Sequence, residues 1–157
     1  MPDDRTWLER AIDLSRRCPP VDHAYSVGAV VVAADGEIVS TGYSRETDDV
    51  VHAEEAALAK VEPTDPRLRS ATLYSSLEPC SSRRSRPFTC TGLVLAAGIP
   101  RVVIAWREPD LFVADCQGHE LLTAGGVEVV ELPDLAPAAR AVNSHLEPRA
   151  PHPRAGE

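Results

Sequence analysis

A chain of 157 residues, 43% hydrophobic and 25% charged, is ordinary for a soluble globular protein and gives one compact domain with a real core. Its net charge of -8 argues against a wide phosphate-backbone footprint, because nucleic-acid binding is usually carried by a basic face, and favours a small-molecule ligand. No run approaches the roughly 18 apolar residues that span a bilayer, and the charged start MPDDRTWLER has no apolar signal region, so a cytoplasmic protein free of membrane is expected.

In chain order, DRTWLERAIDLSRRC carries Trp7, Leu8, Ala11, Ile12 and Leu14 at helical spacing, and Pro19 and Pro20 end that helix. HAYSVGAVVVAADGEIVSTGYS reads as a β-hairpin, with VGAVVVA and EIVSTGY as strands and ADGE as the turn. The first strand is almost continuously apolar, which implies burial on both faces. A helix is predicted over 52–61, a strand over SATLYSS and a helix over TGLVLAAG, closed by Gly98. RVVIAW follows as a strand, GHELLTAGG as a helix closed by Gly125 or Gly126, and VEVVEL as the last strand. Strands alternating with helices after an opening hairpin predict an α/β fold in three layers, α/β/α, around a mixed central sheet. The domain is expected over 1–132. From Pro133 the chain holds five of its fourteen prolines, so 133–157 is read as a short helix over 134–146 followed by a mobile tail.

Four cysteines in a cytosolic chain argue for metal binding or burial rather than disulfides. Cys80 follows a predicted strand, Cys90 precedes a predicted helix and His52 opens another, so all three fall at element ends on one edge of an α/β sheet. One His and two Cys form a three-ligand zinc (Zn2+) site, whose fourth position stays open to water, whereas structural sites are normally closed by a fourth protein ligand. Zinc would bring the pKa of a bound water towards about 7. Glu54 is then the proton carrier. Two residues apart on a regular helix are about 200° round the axis, so only at the open first turn do His52 and Glu54 reach one pocket. Glu55 is read as a solvated helix residue, and Cys18 and Cys116, without spaced partners, as packing residues.

The pattern of HAE at 52–54, Pro79-Cys80 after a strand, and Cys90 at a helix start resembles the zinc-dependent deaminases, in which the Glu is a general acid/base and not a ligand. Nine residues separate the two cysteines here, and LEPCSSRRSRPFTCTG resembles the enlarged loop in the deaminase domain of the bifunctional riboflavin-biosynthesis enzyme. VGAVVVAADGEIVSTGY and AAGIPRVVIAWREPDLFVADCQGHELLTAGGVEV are similar to further segments of that group, so the resemblance covers residues 5 to 131. It implies a cytidine-deaminase-like fold, a homodimer or homotetramer, and Arg86 as the match to the loop arginine of the group. Arg83 and Arg84 add charge one residue out of register.

The departures from the group lie around its substrate pocket. Ala24 and Tyr25 replace an Asn-Pro pair, Ser82 a histidine after Pro-Cys-Ser, and Ser44 a second histidine. Arg86, Ser82, Ser44, Tyr25 and Ala53 are therefore taken as substrate-binding positions, with Tyr25 or Phe88 available for stacking on a heterocycle. The function read from the chain is hydrolytic deamination of a small aminopyrimidine or cytosine-type nucleoside or nucleotide. The riboflavin-pathway diaminopyrimidine, a guanine-type base and a specialised metabolite stand as alternatives, and a zinc-stabilised binding module as the non-enzymatic one. The rewritten pocket leads to the expectation that the pathway compound is a poor substrate.

Overall fold

Asp3 opens the first helix: its carboxylate accepts the backbone N–H of Thr6 at 2.9 Å, and α1 runs Asp4–Ser15 in a computed structural model that describes residues 3–83, 86–107 and 116–146. The hairpin follows as β1 (Gly28–Val32) and β2 (Ile38–Tyr43), with Gly36 at a φ of 87° in the turn. Then come α2 (Ala53–Ala59), a 3-10 turn at Pro66–Ser70, and β3 (Thr72–Ser75). The second half holds α3 (Cys90–Ala97), β4 (Arg101–Ile104), α4 (Gly118–Ala124), β5 (Glu128–Glu131) and α5 (Ala136–Val142).

The five strands make one mixed sheet in the order β2-β1-β3-β4-β5. β1 is antiparallel to β2 and β3, whereas β3, β4 and β5 run parallel, each pair joined through a helix. Side chains alternate across this sheet. Ala29, Val31, Leu73, Val102 and Ile104 pack with Ala53, Ala57, Val94 and Leu122 of α2, α3 and α4. Val30, Val32, Tyr74 and Val103 pack with Trp7, Leu8, Ile12 and Ala139 of α1 and α5. The sheet is thus covered on both faces, which is why β1 tolerates no polar residue and is buried along its whole length. Gly28 and Gly42 permit the close approach of the helices: a Cβ would meet Ala11 O at 1.9 Å on one face and Ala53 O at 2.4 Å on the other.

The predicted elements are all present, each strand shorter by one to three residues than its apolar run. Gly98 closes α3 in the left-handed region at a φ of 76°, and Gly126, at 87°, takes that conformation after α4 while Gly125 does not. The C-terminal segment departs from expectation. Residues 134–146 form a 3-10 turn at Pro133–Leu135, the helix α5 and a second turn at Ser144–Leu146 rather than one helix. The boundary expected at 132 falls inside the packed body, because Leu135 and Ala139 complete the second core and Asn143 bonds the backbone of Ser26 in both directions, at 2.7 and 3.0 Å. The expected mobile tail beyond 146 lies outside the described residues. Among the described residues no helix is long and apolar enough to cross a membrane.

Asp4 ties α1 to the sheet, accepting from the Tyr74 hydroxyl at 2.7 Å and from both terminal nitrogens of Arg101 at 2.8 and 2.6 Å. The Arg101 hydrogen bonds hold its pKa below the usual 3.8 despite partial burial. Its contribution is therefore fully present above pH 3.8 and is lost as pH falls through the lower, native value. Asp4→Asn is expected to lower stability by about 1–2 kcal/mol at neutral pH and to remove that part of the acid dependence, as read by denaturant unfolding at several pH values.

Candidate active site

Three side chains converge at the carboxyl edge of β3. His52 is the N-cap of α2, Cys80 lies five residues beyond the end of β3, and Cys90 is the first residue of α3, capped by Thr89, whose hydroxyl accepts the Gly92 N–H at 3.1 Å. The loop after β3 is stitched to α3 by the Thr91 N–H on Cys80 O at 3.1 Å, so the two cysteines are set against each other by backbone. His52 Nδ1 is 3.3 Å from Cys90 Sγ and 3.5 Å from Cys80 Sγ, and the three donor atoms lie within 4.8 Å of one another. Nitrogen and sulfur ligands on a zinc tetrahedron stand about 3.6 Å apart, from bond lengths of about 2.05 and 2.3 Å. One imidazole and two thiols at this spacing fit a zinc ion with one position left open.

The thiols do not behave alike without metal. Cys80 is pushed down to about 4, first by the hydrogen bond with Cys90 and then by His52, which together overcome its burial. Cys90 moves up because it shares its proton with Cys80 and is buried. Burial pulls His52 down, but the Cys80 sulfur outweighs it and the net shift is upward. Metal binding needs neutral imidazole and two thiolates, so zinc uptake must expel protons and weakens as pH falls.

Glu54, in the first turn of α2, is buried, and its Oε1 accepts the Ser75 hydroxyl at 2.6 Å. Ser75 ends β3 and also lies 2.7 Å from Leu77 O. This serine was not singled out from the sequence, although two consecutive serines in the otherwise apolar LYSSL are a visible signal of buried polar work. Glu55 corrects the expectation of a solvated residue. Its side chain is only 12% exposed and accepts from Arg83 Nη1 and Arg86 Nε, both at 3.0 Å, and from the His52 N–H at 3.2 Å.

The expected substrate contacts are dispersed. Ala53 is fully buried in α2 and packed in the core, next in sequence to His52. Tyr25 is buried edge-on to Trp106, with ring centroids 5.4 Å apart, whereas Phe88 is exposed under the Arg83 guanidinium. Ser44 is buried, its hydroxyl accepting the Val27 N–H at 2.9 Å and donating to Val27 O at 3.4 Å, so it prolongs the hairpin ladder. Ser82 is exposed, and Arg86 is half-buried between Glu55 and Asp48. Arg84 lies outside the described residues. Cys18 is buried near Val27 O, and Cys116 sits 3.8 Å from Pro79 O, next to the site but outside its donor cluster.

Residues 1–106 match the sequence profile of the cytidine and deoxycytidylate deaminase zinc-binding region. The chain belongs to the cytidine and deoxycytidylate deaminase family. The family's metal is zinc, and His52, Cys80 and Cys90 are the group of donors able to hold it among the described residues. Within this deaminase family, the chain is 44% identical over 128 residues to the diaminohydroxyphosphoribosylamino-pyrimidine deaminase of Schizosaccharomyces pombe, covering 80% of this chain and 31% of that protein. It is 34% identical over 126 residues to the riboflavin biosynthesis protein RibD of Escherichia coli, covering 80% and 33%. A crystal structure of a diaminohydroxyphosphoribosylaminopyrimidine deaminase/reductase from Thermotoga maritima superposes with a TM-score of 0.78 at 33% identity, over 91% of this chain and 40% of that one. The chain spans about a third of the length of the curated relatives it matches.

Proposed function

We propose that this deaminase acts on the phosphorylated diaminopyrimidine of riboflavin biosynthesis, replacing a ring amine by oxygen from water and releasing ammonia. The observation that carries the substrate is the 44% identity, over 80% of the chain, to a fission-yeast protein named for deaminating that compound. The broader reading, a free aminopyrimidine or cytosine-type nucleoside, gives way to this one. Ala24, Ser44 and Ser82 lack the side chains expected there for the pathway compound, and two of these positions have other partners at hand. Ser44 has a backbone partner of its own in Val27, and next to the exposed Ser82 the buried Arg83 side chain reaches Glu55.

Zinc on His52, Cys80 and Cys90 would supply the Lewis acid that makes water nucleophilic near neutral pH. Glu54, oriented by Ser75, takes one proton from the attacking water to the ring nitrogen and then the second, from the hydroxyl so added, to the departing amine, which leaves as ammonia. Burial of Glu54 keeps bulk water from competing for that proton. Of the substrate-binding positions, Arg86 is the proposed anion contact. Its guanidinium is 27% exposed beside the more exposed Asp48, which a phosphate would displace. Arg86→Ala, assayed at saturating zinc, is expected to weaken the phosphorylated substrate by about 1.5–3 kcal/mol and its dephosphorylated form far less. Equal effects on the two forms would remove Arg86 from substrate binding.

A further inference from the structure

Two of the three metal donors flank a nine-residue loop, and the third stands on α2, so the triad is only as fixed as the docking of that loop on the helix. The docking is ionic and brackets His52. Arg83, three residues after Cys80, donates through Nη1 to Glu55 Oε1 at 3.0 Å and through Nη2 to Val50 O at 2.7 Å. Arg86, four residues before Cys90, donates through Nε to Glu55 Oε2 at 3.0 Å and through Nη2 to Asp48. Both arginines thus grip the chain on either side of His52, at 48 or 50 before it and at 55 after it. Glu55 is common to both, and its Oε1 also accepts the backbone N–H of His52 at 3.2 Å.

The Arg83 side chain is 4% exposed and that of Glu55 12%. A pair so far out of water is screened little by salt, and removing Glu55 leaves the Arg83 charge buried without its counter-ion. A buried arginine cation three residues from a metal-binding cysteine also opposes a dication, and Glu55 offsets it.

We propose that Glu55 is a positioning residue for the metal: it joins the intercysteine loop to the start of α2 and so holds His52, Cys80 and Cys90 at ligand spacing. This rests on the reading that those three side chains bind zinc. Loss of a partner that orients metal ligands typically costs about 10-fold to 100-fold in metal affinity, and the loss is expected here as faster release. Glu55→Ala removes the ion pairs and the His52 contact together. Glu55→Gln keeps an oxygen for the His52 N–H and removes only the charge.

The test is zinc release from the full chain into an excess of chromogenic chelator, with unfolding of the zinc-free proteins measured alongside. Glu55→Ala is expected to release zinc about 10-fold faster or more, Glu55→Gln by an intermediate factor, and Arg83→Ala faster than the wild type. In the Glu55→Ala/Arg83→Ala double variant the two rate increases should combine to less than their product, since the Arg83–Glu55 link is lost in both single variants. Wild-type release rates in Glu55→Ala and Glu55→Gln would overturn the proposal, as would a lowered Tm of the zinc-free protein with release unchanged. A wild-type chain that takes up no zinc would instead overturn the underlying metal reading, which separates the two failures. Should Glu55→Ala not fold, Glu55→Gln and Arg83→Ala decide the matter by the same criterion.

Discussion

Glu54→Ala is expected to lower turnover by about 10²-fold to 10⁴-fold while zinc content and unfolding stay close to those of the wild type. The separation follows from the geometry. Glu54 is not one of the three clustered donors, so the metal should not depend on it. Nor should the fold suffer greatly, because the Ser75 hydroxyl, which donates to Glu54 at 2.6 Å, has Leu77 O at 2.7 Å as a second acceptor. What the variant loses is the buried carboxylate in the first turn of α2, two residues from His52, that is assigned to carry a proton between water and amine. Glu54→Gln, which keeps the shape and the acceptor for Ser75, should be nearly as impaired. Loss of zinc rather than of rate would make Glu54 a ligand and contradict its assigned role.

Cys90→Ala is expected to reduce zinc from about one ion per chain to near none in elemental analysis. Cys90 is fully buried, and its removal leaves one imidazole and one thiol, too few donors for a stable tetrahedral site. The nearby Cys116 offers no substitute, since its sulfur is turned to Pro79 O and Ser81 Oγ and lies outside the cluster. Zinc retained at full occupancy would remove Cys90 from the site and bring Cys116 into it.

The sequence reveals what is local and hides what depends on distant segments. The unbroken apolar run of β1 is legible because both faces of the sheet are covered, and the metal donors are legible because His52 and Cys90 open helices while Cys80 follows a proline in the loop after β3. The strand order is not legible, since no local pattern tells β1 to pair with β3. Glu55 looks like any solvated helix glutamate until the intercysteine loop folds back on it, 31 residues along the chain from Arg86. Ser44 reads as a shortened substrate contact until its hydroxyl is found on the backbone of Val27. The C-terminal helix is legible in outline, but its prolines mark a change of composition that hides its place in the core, where Leu135, Ala139 and Val142 pack at helical spacing. Its strongest anchor, Asn143 on Ser26, spans 117 residues and leaves no local trace.

The phosphorylated diaminopyrimidine of riboflavin biosynthesis is the proposed substrate of this member of the deaminase family. The most direct test is turnover by the zinc-loaded protein on that compound, on cytidine and on deoxycytidylate, side by side, reading ammonia release and the mass change from amine to oxygen. A high rate on the diaminopyrimidine, abolished in Glu54→Ala, is expected, with rates at least about 10²-fold lower on the cytosine compounds. Efficient deamination of cytidine or deoxycytidylate with little on the diaminopyrimidine would contradict it.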